Sequence, residues 1–369
     1  MPTIDARPNT MDIDLGALEV NVAEVRRRIE AGVAIIASVK ANAYGHGIVA
    51  VGQRLQALGV EVLATGSFSD AIAMREAGIT APILMMAGAL PSAMPELLRH
   101  DLIATVHNRE LADAVGASAT KTAPIYVKVD CGFGRLGVPL EAAQKFILDL
   151  ARMPKLEIAG IYTHLPFSNE AGRAWARDGI ARFDDLIAGL ARQGLTVPMT
   201  QARASAALLA GIEDSCTAVS PGAFLYGLSP LDPGLADTAP LRPVMKRIQT
   251  QLIQVSPNAA PSVGGYGRLA NGILGVVPFG RVDGNRAPID GSGAHMLVNG
   301  IEAPVLGVSL EHAVLDLSAV PQPAVGDTVT VLGRCGDGAI ALEDLARWQG
   351  AGVNDVLMAF NDRIAQAIC

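Results

Sequence analysis

Several charged or titratable side chains stand where predicted strands end. They are Lys40 at the end of "IIASVK", Lys128 and Asp130 in "IYVKVD", and His164 in "IAGIYTHL". Apolar surroundings disfavour an ammonium ion and leave a neutral amine that can attack a carbonyl group. If Lys40 lies in the buried apolar layer of its strand, it suits covalent attachment to a carbonyl substrate or to pyridoxal 5'-phosphate (PLP).

The segment after Lys40 has room for an anionic ligand. Its sequence, "ANAYGHG", supplies the hydroxyl of Tyr44 and the glycines Gly45 and Gly47 ahead of the next predicted helix. Glycines allow a backbone to approach a ligand closely, and the amides of a helix N-terminus attract anions. A lysine that extends to solvent or forms a salt bridge is the alternative for Lys40.

Strand and helix patterns alternate from about residue 33 to residue 222. Most of the strand-like runs are continuously apolar, as strands buried on both faces are, and the segments between them have apolar residues at helical spacing. The predicted strands are 35–40, 62–68, 83–88, 103–108, 125–130, 158–165, 198–204 and 216–222. Eight such units predict an α/β fold, a (β/α)8 TIM barrel, whose catalytic groups lie at the carboxyl ends of the strands. A doubly wound open sheet is the alternative.

A second domain is predicted after the barrel. Beyond about residue 240, alternating β-branched segments are separated by Gly, Pro, Asn and Asp turns, which predicts a mostly antiparallel C-terminal β domain. We place the barrel at 14–240 and the β domain at 241–369, joined by a strand within residues 1–13. A helical pattern at 354–367 closes the chain.

Composition restricts the class of partner. The chain has 369 residues, of which half are apolar and 18% are charged, and a net charge of −7, which argues against a nucleic-acid or anionic-membrane surface. The four cysteines have neither metal-type nor disulfide-type spacing. No apolar run approaches the roughly 18 residues of a membrane span. We expect a cytoplasmic protein with no metal, no nucleic-acid partner and no membrane partner.

Six motifs, in order along the chain, resemble those of the alanine racemase family. They are "VKANAYGHG" (39–47), "KVDCGFGRLG" (128–137), "IAGIYTHL" (158–165), "SPGAFLYGLSP" (220–230), "GGYG" (264–267) and "VSLEHAVLDLS" (308–318). The resemblance implies a fold-type III enzyme, with PLP as cofactor and a head-to-tail homodimer as its assembly. It also implies a racemase that interconverts the L- and D-forms of a small α-amino acid, alanine or serine first.

The resemblance assigns the acid/base and cofactor residues. Lys40 holds PLP and is one of two acid/base groups; the other is Tyr266, supplied by the partner subunit, with His164 as its neighbour. Two groups are needed because the α-proton leaves one face of the substrate and returns on the other. The phosphate is expected against Tyr44, Ser205 and the backbone amides of Gly222 and Ala223.

The resemblance also assigns three substrate-binding residues, Arg135, Leu310 and Arg281. Arg135, in "GFGRLG", matches an arginine that orients the substrate, and a guanidinium group suits a carboxylate or a phenolate oxygen. Leu310 occupies a position in the substrate wall that is normally methionine. Lys128 matches a lysine that is carbamylated in many members, and a plain lysine paired with Asp130 or Glu157 is the alternative.

Three further departures from the family pattern bear on the reaction. Ser220 stands where the family has an arginine that donates to the pyridine nitrogen of PLP, Ala204 replaces an asparagine, and Arg281 replaces a tyrosine of the access corridor. A serine hydroxyl can also face a neutral pyridine, and Arg281 suits a second acidic group. These departures leave two alternatives open: a PLP-dependent lyase or dehydratase acting on a β-substituted or acidic amino acid, and a non-catalytic PLP carrier.

Overall fold

The computed structural model of the chain describes residues 7–257 and 272–369, which form two compact units. The barrel unit comprises residues 15–43 and 47–243. The sheet unit comprises the described residues of 1–14, 44–46 and 244–369. None of the helices in the described residues combines the length and the apolar character that a membrane span requires.

Short strands and helices make up both units. The strands are β1 (Thr10–Ile13), β2 (Ala34–Ser38), β3 (Val62–Thr65), β4 (Ile83–Met85), β5 (Ile103–Val106), β6 (Ala123–Asp130), β7 (Val138–Pro139), β8 (Leu156–Tyr162), β9 (Met199–Ala204), β10 (Ala218–Ser220), β11 (Met245–Gln251), β12 (Gln254–Pro257), β13 (Ile273–Val277), β14 (His295–Val298), β15 (Ile301–Val308), β16 (Ala313–Asp316), β17 (Thr328–Cys335), β18 (Gly338–Ile340) and β19 (Ala365–Ile368). The helical segments are α1 (Leu15–Arg27), α2 (Lys40–Tyr44, a left-handed turn), α3 (Ile48–Ala57), α4 (Phe68–Glu76), α5 (Met94–Arg99), α6 (Arg109–Ser118), α7 (Leu140–Leu150), α8 (Glu170–Arg192), α9 (Ser205–Leu209), α10 (Leu342–Gln349) and α11 (Val353–Ala359). Short 3-10 helices cover Pro91–Ala93, Ala223–Tyr226 and Arg281–Asp283.

Eight parallel strands of the barrel unit close on themselves. Their order is β5, β4, β3, β2, β10, β9, β8 and β6, and β6 pairs again with β5. Helices alternate with these strands along the chain. The closure confirms the predicted (β/α)8 barrel and excludes the doubly wound open sheet.

Side chains fill the interior of the barrel. The rings of Tyr126 and Tyr162 are buried there in a T-shaped pair with centroids 6.3 Å apart. Gly160 provides the room, because a Cβ at this position would lie 2.2 Å from the Tyr126 ring. The Tyr162 hydroxyl hydrogen-bonds to Thr105 Oγ1 at 2.8 Å and to the Met86 carbonyl oxygen at 3.1 Å. These bonds offset the cost of burying the hydroxyl and fix the strand ends that carry the site.

The sheet unit contains a curled, mostly antiparallel sheet, which confirms the predicted fold of the C-terminal β domain. Its strand order is β12, β13, β16, β15, β14, β17, β11, β1 and β19, and β18 pairs with β17. The strand β1 pairs antiparallel with β11 and parallel with β19, which brings residues 10–13 into this sheet.

The helix predicted at 354–367 is wrong beyond residue 359. The helix α11 ends at Ala359, and Phe360 has an extended backbone with φ −66° and ψ 137°. Residues 365–368 then form β19. The N–H of Ala365, its first residue, donates to the carbonyl oxygen of Asn9 at 3.0 Å, and the N–H of Cys369, which follows the strand, donates to that of Ile13 at 2.9 Å. Pairing with a strand distant in sequence therefore outweighs the local helix propensity of this segment.

Candidate active site

A cavity of about 470 Å³ lies at the carboxyl ends of the barrel strands. Its lining residues are Lys40, Gly66, Met86, Ala87, Lys128, Arg135, Leu136, Tyr162, Thr163, His164, Gln201 and Ser220. Five of the residues singled out in the sequence meet here: Lys40, Lys128, Arg135, His164 and Ser220. The volume and position suit a small ligand, because a (β/α)8 barrel builds its active site at this end.

Lys40 lines the cavity, but it is an exposed residue. The expectation that it lies in the buried apolar layer is therefore wrong. The reason is that β2 ends at Ser38, so Lys40 lies beyond the buried strand, at the start of a left-handed turn. Lys40 is thus accessible to a ligand that enters the cavity.

The turn after Lys40 has a left-handed backbone at four consecutive residues, 41–44, with φ of 54–55°. This conformation costs a residue with a side chain roughly 1–2 kcal/mol. Asn42 holds the turn in place: its backbone N–H donates to Asp70 Oδ2 at 3.1 Å, and its Oδ1 accepts from Ile48 N at 2.7 Å. Strain of this kind persists only where the surrounding structure fixes it, so the turn sets the direction in which the chain leaves Lys40.

Lys128 is a buried lysine inside the cavity. Its side chain rises from β6, is 6% exposed, and places Nζ 4.2 Å from the centroid of the Tyr162 ring. Burial, together with the positive charge of Arg135, lowers the pKa of Lys128 to about 7. A large fraction of this amine is therefore neutral at physiological pH.

His164 is a neutral imidazole in the same cavity. Burial lowers its pKa to about 3, and the positive charges of Lys128, Arg135 and Lys40 contribute to the same shift. A neutral imidazole has one N–H donor and one acceptor nitrogen, so His164 can hold a hydrogen bond on either side of its ring.

The loop between β6 and β7 presents Arg135 to the cavity. Asp130 stabilises this loop by accepting hydrogen bonds from the backbone amides of residues 132, 133 and 134 at 2.8–3.2 Å. Burial alone would raise the pKa of Asp130, but these amides lower it, so the carboxylate stays ionised. Gly137 closes the loop with φ 140°, where a Cβ would lie 2.5 Å from Asp130 N.

Three of the four expected phosphate contacts lie together in the barrel unit. Ser205 Oγ accepts hydrogen bonds from the backbone amides of Gly222 at 2.9 Å and Phe224 at 3.2 Å, and Ala223 lies between those two residues. The Gly222 amide therefore donates to Ser205 in this structure. The fourth expected contact, Tyr44, is buried and belongs to the sheet unit.

Two of the expected substrate-binding residues lie side by side in the sheet unit. Arg281 N donates to the Ser309 carbonyl oxygen, and Val282 N to that of Leu310, both at 3.0 Å. Arg281 and Leu310 are both exposed, Leu310 at 66%. Tyr266, the expected second acid/base group, lies outside the described residues.

Sequence reasoning missed part of the cavity lining, notably Gly66, Met86, Tyr162 and Gln201. It selected mainly charged side chains at strand ends and passed over most uncharged ones, including the tyrosine hydroxyl of Tyr162. The signal was present, because Gly66 and Met86 directly follow β3 and β4, and Tyr162 is the last residue of β8. Applying the strand-end rule to every strand, whatever the residue type, finds these three.

The residues of the cavity fit an anionic cofactor such as PLP. Lys40 and Arg135 supply positive charge, Lys128 supplies an amine that is partly protonated, and Thr163 and Ser220 supply hydroxyls. Among the described residues, those that line the cavity include no carboxylate. Such a set complements phosphate, phenolate and carboxylate oxygens. Within residues 7–257 and 272–369, no group of three or more His, Cys, Asp or Glu side chains could hold a metal ion.

Comparisons with known proteins match both units. The family model described as the N-terminal domain of alanine racemase matches residues 13–230, and the C-terminal domain model matches residues 245–368. The alanine racemase of Syntrophobacter fumaroxidans is 33% identical over 349 residues, which cover 92% of each chain. A crystal structure of alanine racemase from E. faecalis has a TM-score of 0.90 at 28% identity over 98% of each chain. Alanine racemase from Bacillus anthracis with bound L-Ala-P has a TM-score of 0.87 at 26% identity, over 98% of this chain and 95% of that one.

Proposed function

The chain belongs to the alanine racemase family and is an amino-acid-racemising isomerase, and from this we propose that it interconverts L- and D-alanine with PLP as its cofactor. The observation that carries the proposal is the cavity in which Lys40, Arg135 and His164 meet. The similar proteins are racemases, which favours this activity over the lyase alternative.

The proposed reaction moves the α-hydrogen of the amino acid between two protein groups. When bound, PLP withdraws electrons from the α-carbon and so makes its hydrogen acidic. Lys40 holds the cofactor and transfers the proton on one face, while Tyr266 of the partner subunit transfers it on the other. The exposed position of Lys40 in the cavity supports this role, since the residue must reach both cofactor and substrate.

Arg135 is proposed to bind the substrate carboxylate, and a carbamate on Lys128 is proposed to hold Arg135 in place. The guanidinium group of Arg135 can form two parallel hydrogen bonds with a carboxylate. The neutral amine of Lys128 can attack CO2: an N–C bond forms, one C=O π bond of CO2 opens and one N–H proton passes to solvent, so that an uncharged amine becomes a carbamate anion beside Arg135. The lowered pKa of Lys128 supports this reaction, because only the neutral amine is nucleophilic.

His164 and Ser220 are proposed to set the electrostatics of the reaction. A neutral His164 can donate a hydrogen bond to the Tyr266 oxygen or accept one from it. Ser220 offers a hydroxyl to the pyridine nitrogen without placing a carboxylate there, so the nitrogen stays unprotonated. Both residues line the cavity, and the low pKa of His164 supports its neutral state.

The phosphate is proposed to bind at Ser205, the amides of Gly222 and Ala223, and Tyr44. The hydrogen bonds that already join Ser205 to the 222–224 backbone support this site, since the same donors can turn to phosphate oxygens. Arg281 and Leu310 are proposed to contact the substrate, with Arg281 able to pair with an acidic side chain.

A cytoplasmic homodimer is the proposed assembly. Its basis is the role given to Tyr266, which acts from the partner subunit. The four free cysteines are compatible with a reducing compartment.

Covalent trapping tests the proposed role of Lys40. The protein is loaded with PLP, reduced with borohydride, digested and analysed by peptide mass spectrometry. We expect the cofactor on the peptide that contains Lys40, and a loss of both labelling and racemisation in Lys40→Ala. The matched control is Lys121→Ala, whose side chain is 83% exposed and does not line the cavity. Labelling at another lysine, or an active Lys40→Ala variant, would contradict the proposal.

A further inference from the structure

We propose that Phe133 is a positioning residue, whose ring holds Arg135 and His164 in the geometry that the reaction uses. The inference rests on the proposed function, because it concerns how the substrate-binding arginine and the neutral imidazole are kept in place. Phe133 carries no titratable group and lies in a loop beyond the end of β6, so neither its residue type nor its position in the sequence predicts this role.

The Phe133 ring contacts both groups at once. The Cζ atom of Arg135 lies over this ring, 4.8 Å from its centroid. The imidazole of His164 meets the same ring in a T-shaped arrangement, with centroids 5.8 Å apart and planes at 80°. The face of an aromatic ring attracts a guanidinium group, and T-shaped packing is a favoured geometry for a pair of rings. One side chain therefore connects two lining residues that come from different strand ends.

Core packing does not account for Phe133. The residue is 39% exposed, so its side chain is not part of the buried core. The loop is held by the Asp130 carboxylate, which accepts from the backbone N–H of residue 133 and not from its side chain. The ring can therefore be replaced without removing the hydrogen bonds that form the loop.

Electrostatic repulsion explains why Arg135 needs this support. Lys128 lies in the same cavity, and before its amine reacts with CO2 the protonated fraction of that amine repels Arg135. Without an attractive partner, the guanidinium group would gain both entropy and hydration by turning into solvent. The Phe133 ring offsets that tendency through its face, without occupying the N–H donors that Arg135 offers to a carboxylate.

The same ring packs against His164 and so contributes to the burial of the imidazole. The charged groups that act on this imidazole are Lys128 from β6, Arg135 from the following loop and Lys40 after β2. All three are cations and favour the neutral imidazole, as does burial. Removing the Phe133 ring increases hydration and loosens Arg135, so both changes make protonation of His164 easier.

Three variants separate positioning from folding. Phe133→Leu keeps an apolar side chain but removes the ring, Phe133→Tyr keeps the ring, and Leu90→Ala alters an exposed apolar residue of another barrel loop that does not line the cavity. With PLP and alanine, we expect the KM of Phe133→Leu to rise about three- to tenfold, with kcat changed less than about twofold. Phe133→Tyr and Leu90→Ala should keep the wild-type values.

Titration of His164 in the cofactor-free protein provides a readout independent of turnover. The resonance of this histidine, assigned with His164→Gln, is followed by NMR as the pH is lowered. We expect protonation of His164 to begin at a higher pH in Phe133→Leu than in the wild type, and at the wild-type pH in Phe133→Tyr. A role confined to folding would change the circular dichroism and the thermal midpoint without this selective shift.

The outcomes separate this inference from the proposed function. An active wild type with unchanged KM and unchanged His164 titration in Phe133→Leu overturns the positioning role. Equal effects of Phe133→Leu and Phe133→Tyr also overturn it, because the ring is then irrelevant. If the wild type does not racemise any amino acid, the proposed function fails, whereas the titration of the cofactor-free protein still decides whether the ring controls His164.

Discussion

Replacing Lys128 with methionine should change how the stability of the protein depends on pH. Lys128 is buried, and its pKa is lowered from 10.5 to about 7, first by burial and then by Arg135. Between pH 7 and 10.5 the unfolded chain therefore holds a proton on this amine that the folded chain has released. The free energy of unfolding therefore rises with pH across this window. Below pH 7 the folded chain also carries the charge, and the full cost of burying it lowers the free energy of unfolding.

The size of the effect follows from the two pKa values. Each pH unit between them corresponds to about 1.4 kcal/mol, so the complete cost is roughly 4–5 kcal/mol. Lys128→Met has a similar volume and carries no charge, so it removes this contribution while keeping most of the contact with the Tyr162 ring. Below pH 7 the variant should be more stable than the wild type by several kcal/mol, and the difference should shrink towards pH 10.

The assay is urea unfolding of the cofactor-free protein at a series of pH values from 6 to 10. Buffers depleted of CO2 are needed, because a carbamate on Lys128 would replace the ammonium. Lys121→Met is the control, since its side chain is 83% exposed and its removal should leave the curve parallel to that of the wild type. The reasoning is refuted if the curves of the wild type and Lys128→Met are also parallel between pH 7 and 10.

Three further predictions concern the substrate arginine, the loop that carries it and the assembly. Arg135→Lys replaces a bidentate donor by a single ammonium, so steady-state kinetics should show the KM for alanine rising by about tenfold or more. Gly137→Ala forces a Cβ to within 2.5 Å of a backbone nitrogen at φ 140°, and urea unfolding should show a loss of more than about 2 kcal/mol. Gly134→Ala is the matched change, since no atom lies within 4 Å of its Cβ, and it should cost only about 1 kcal/mol. Inactive Lys40→Ala and Tyr266→Phe chains, refolded together, should regain activity, because a mixed dimer contains one site with both groups intact.

Each of these predictions has an outcome that contradicts it. An unchanged KM in Arg135→Lys would remove the arginine from carboxylate binding. Equal costs at Gly137 and Gly134 would mean that the close backbone approach is unimportant. Mixed chains that stay inactive, although sedimentation shows that they associate, would place Tyr266 in the same subunit as Lys40 or outside the reaction.

The barrel and the convergence of its strand ends could be predicted from the sequence. Continuous apolar runs identify buried strands, and the ends of parallel strands meet at one edge, so the positions of Lys40, Lys128 and His164 along the chain are enough to place them together. This inference needs only local patterns and a topological rule. The fold of the C-terminal β domain followed in the same way from alternating residues between turns.

The features that could not be predicted depend on contacts between residues distant in sequence, or on a backbone conformation that no glycine indicates. The exposure of Lys40 follows from a left-handed turn formed by residues 41–44, none of which is a glycine that would have indicated it. The strand at 365–368 exists because it pairs with β1, which no local pattern reveals. The contact of Phe133 with Arg135 and His164 depends on how a loop folds over the end of a neighbouring strand.

Incubation of L-alanine with the PLP-loaded protein in D2O tests the central claim most directly. The products are followed by chiral chromatography and mass spectrometry, with L-serine as a parallel substrate and Lys40→Ala as the control. We expect D-alanine to accumulate until both enantiomers are equal, with deuterium at the α-carbon and no release of ammonia. Ammonia and a keto acid from L-serine without inversion, or no α-deuterium in any product, would contradict the account.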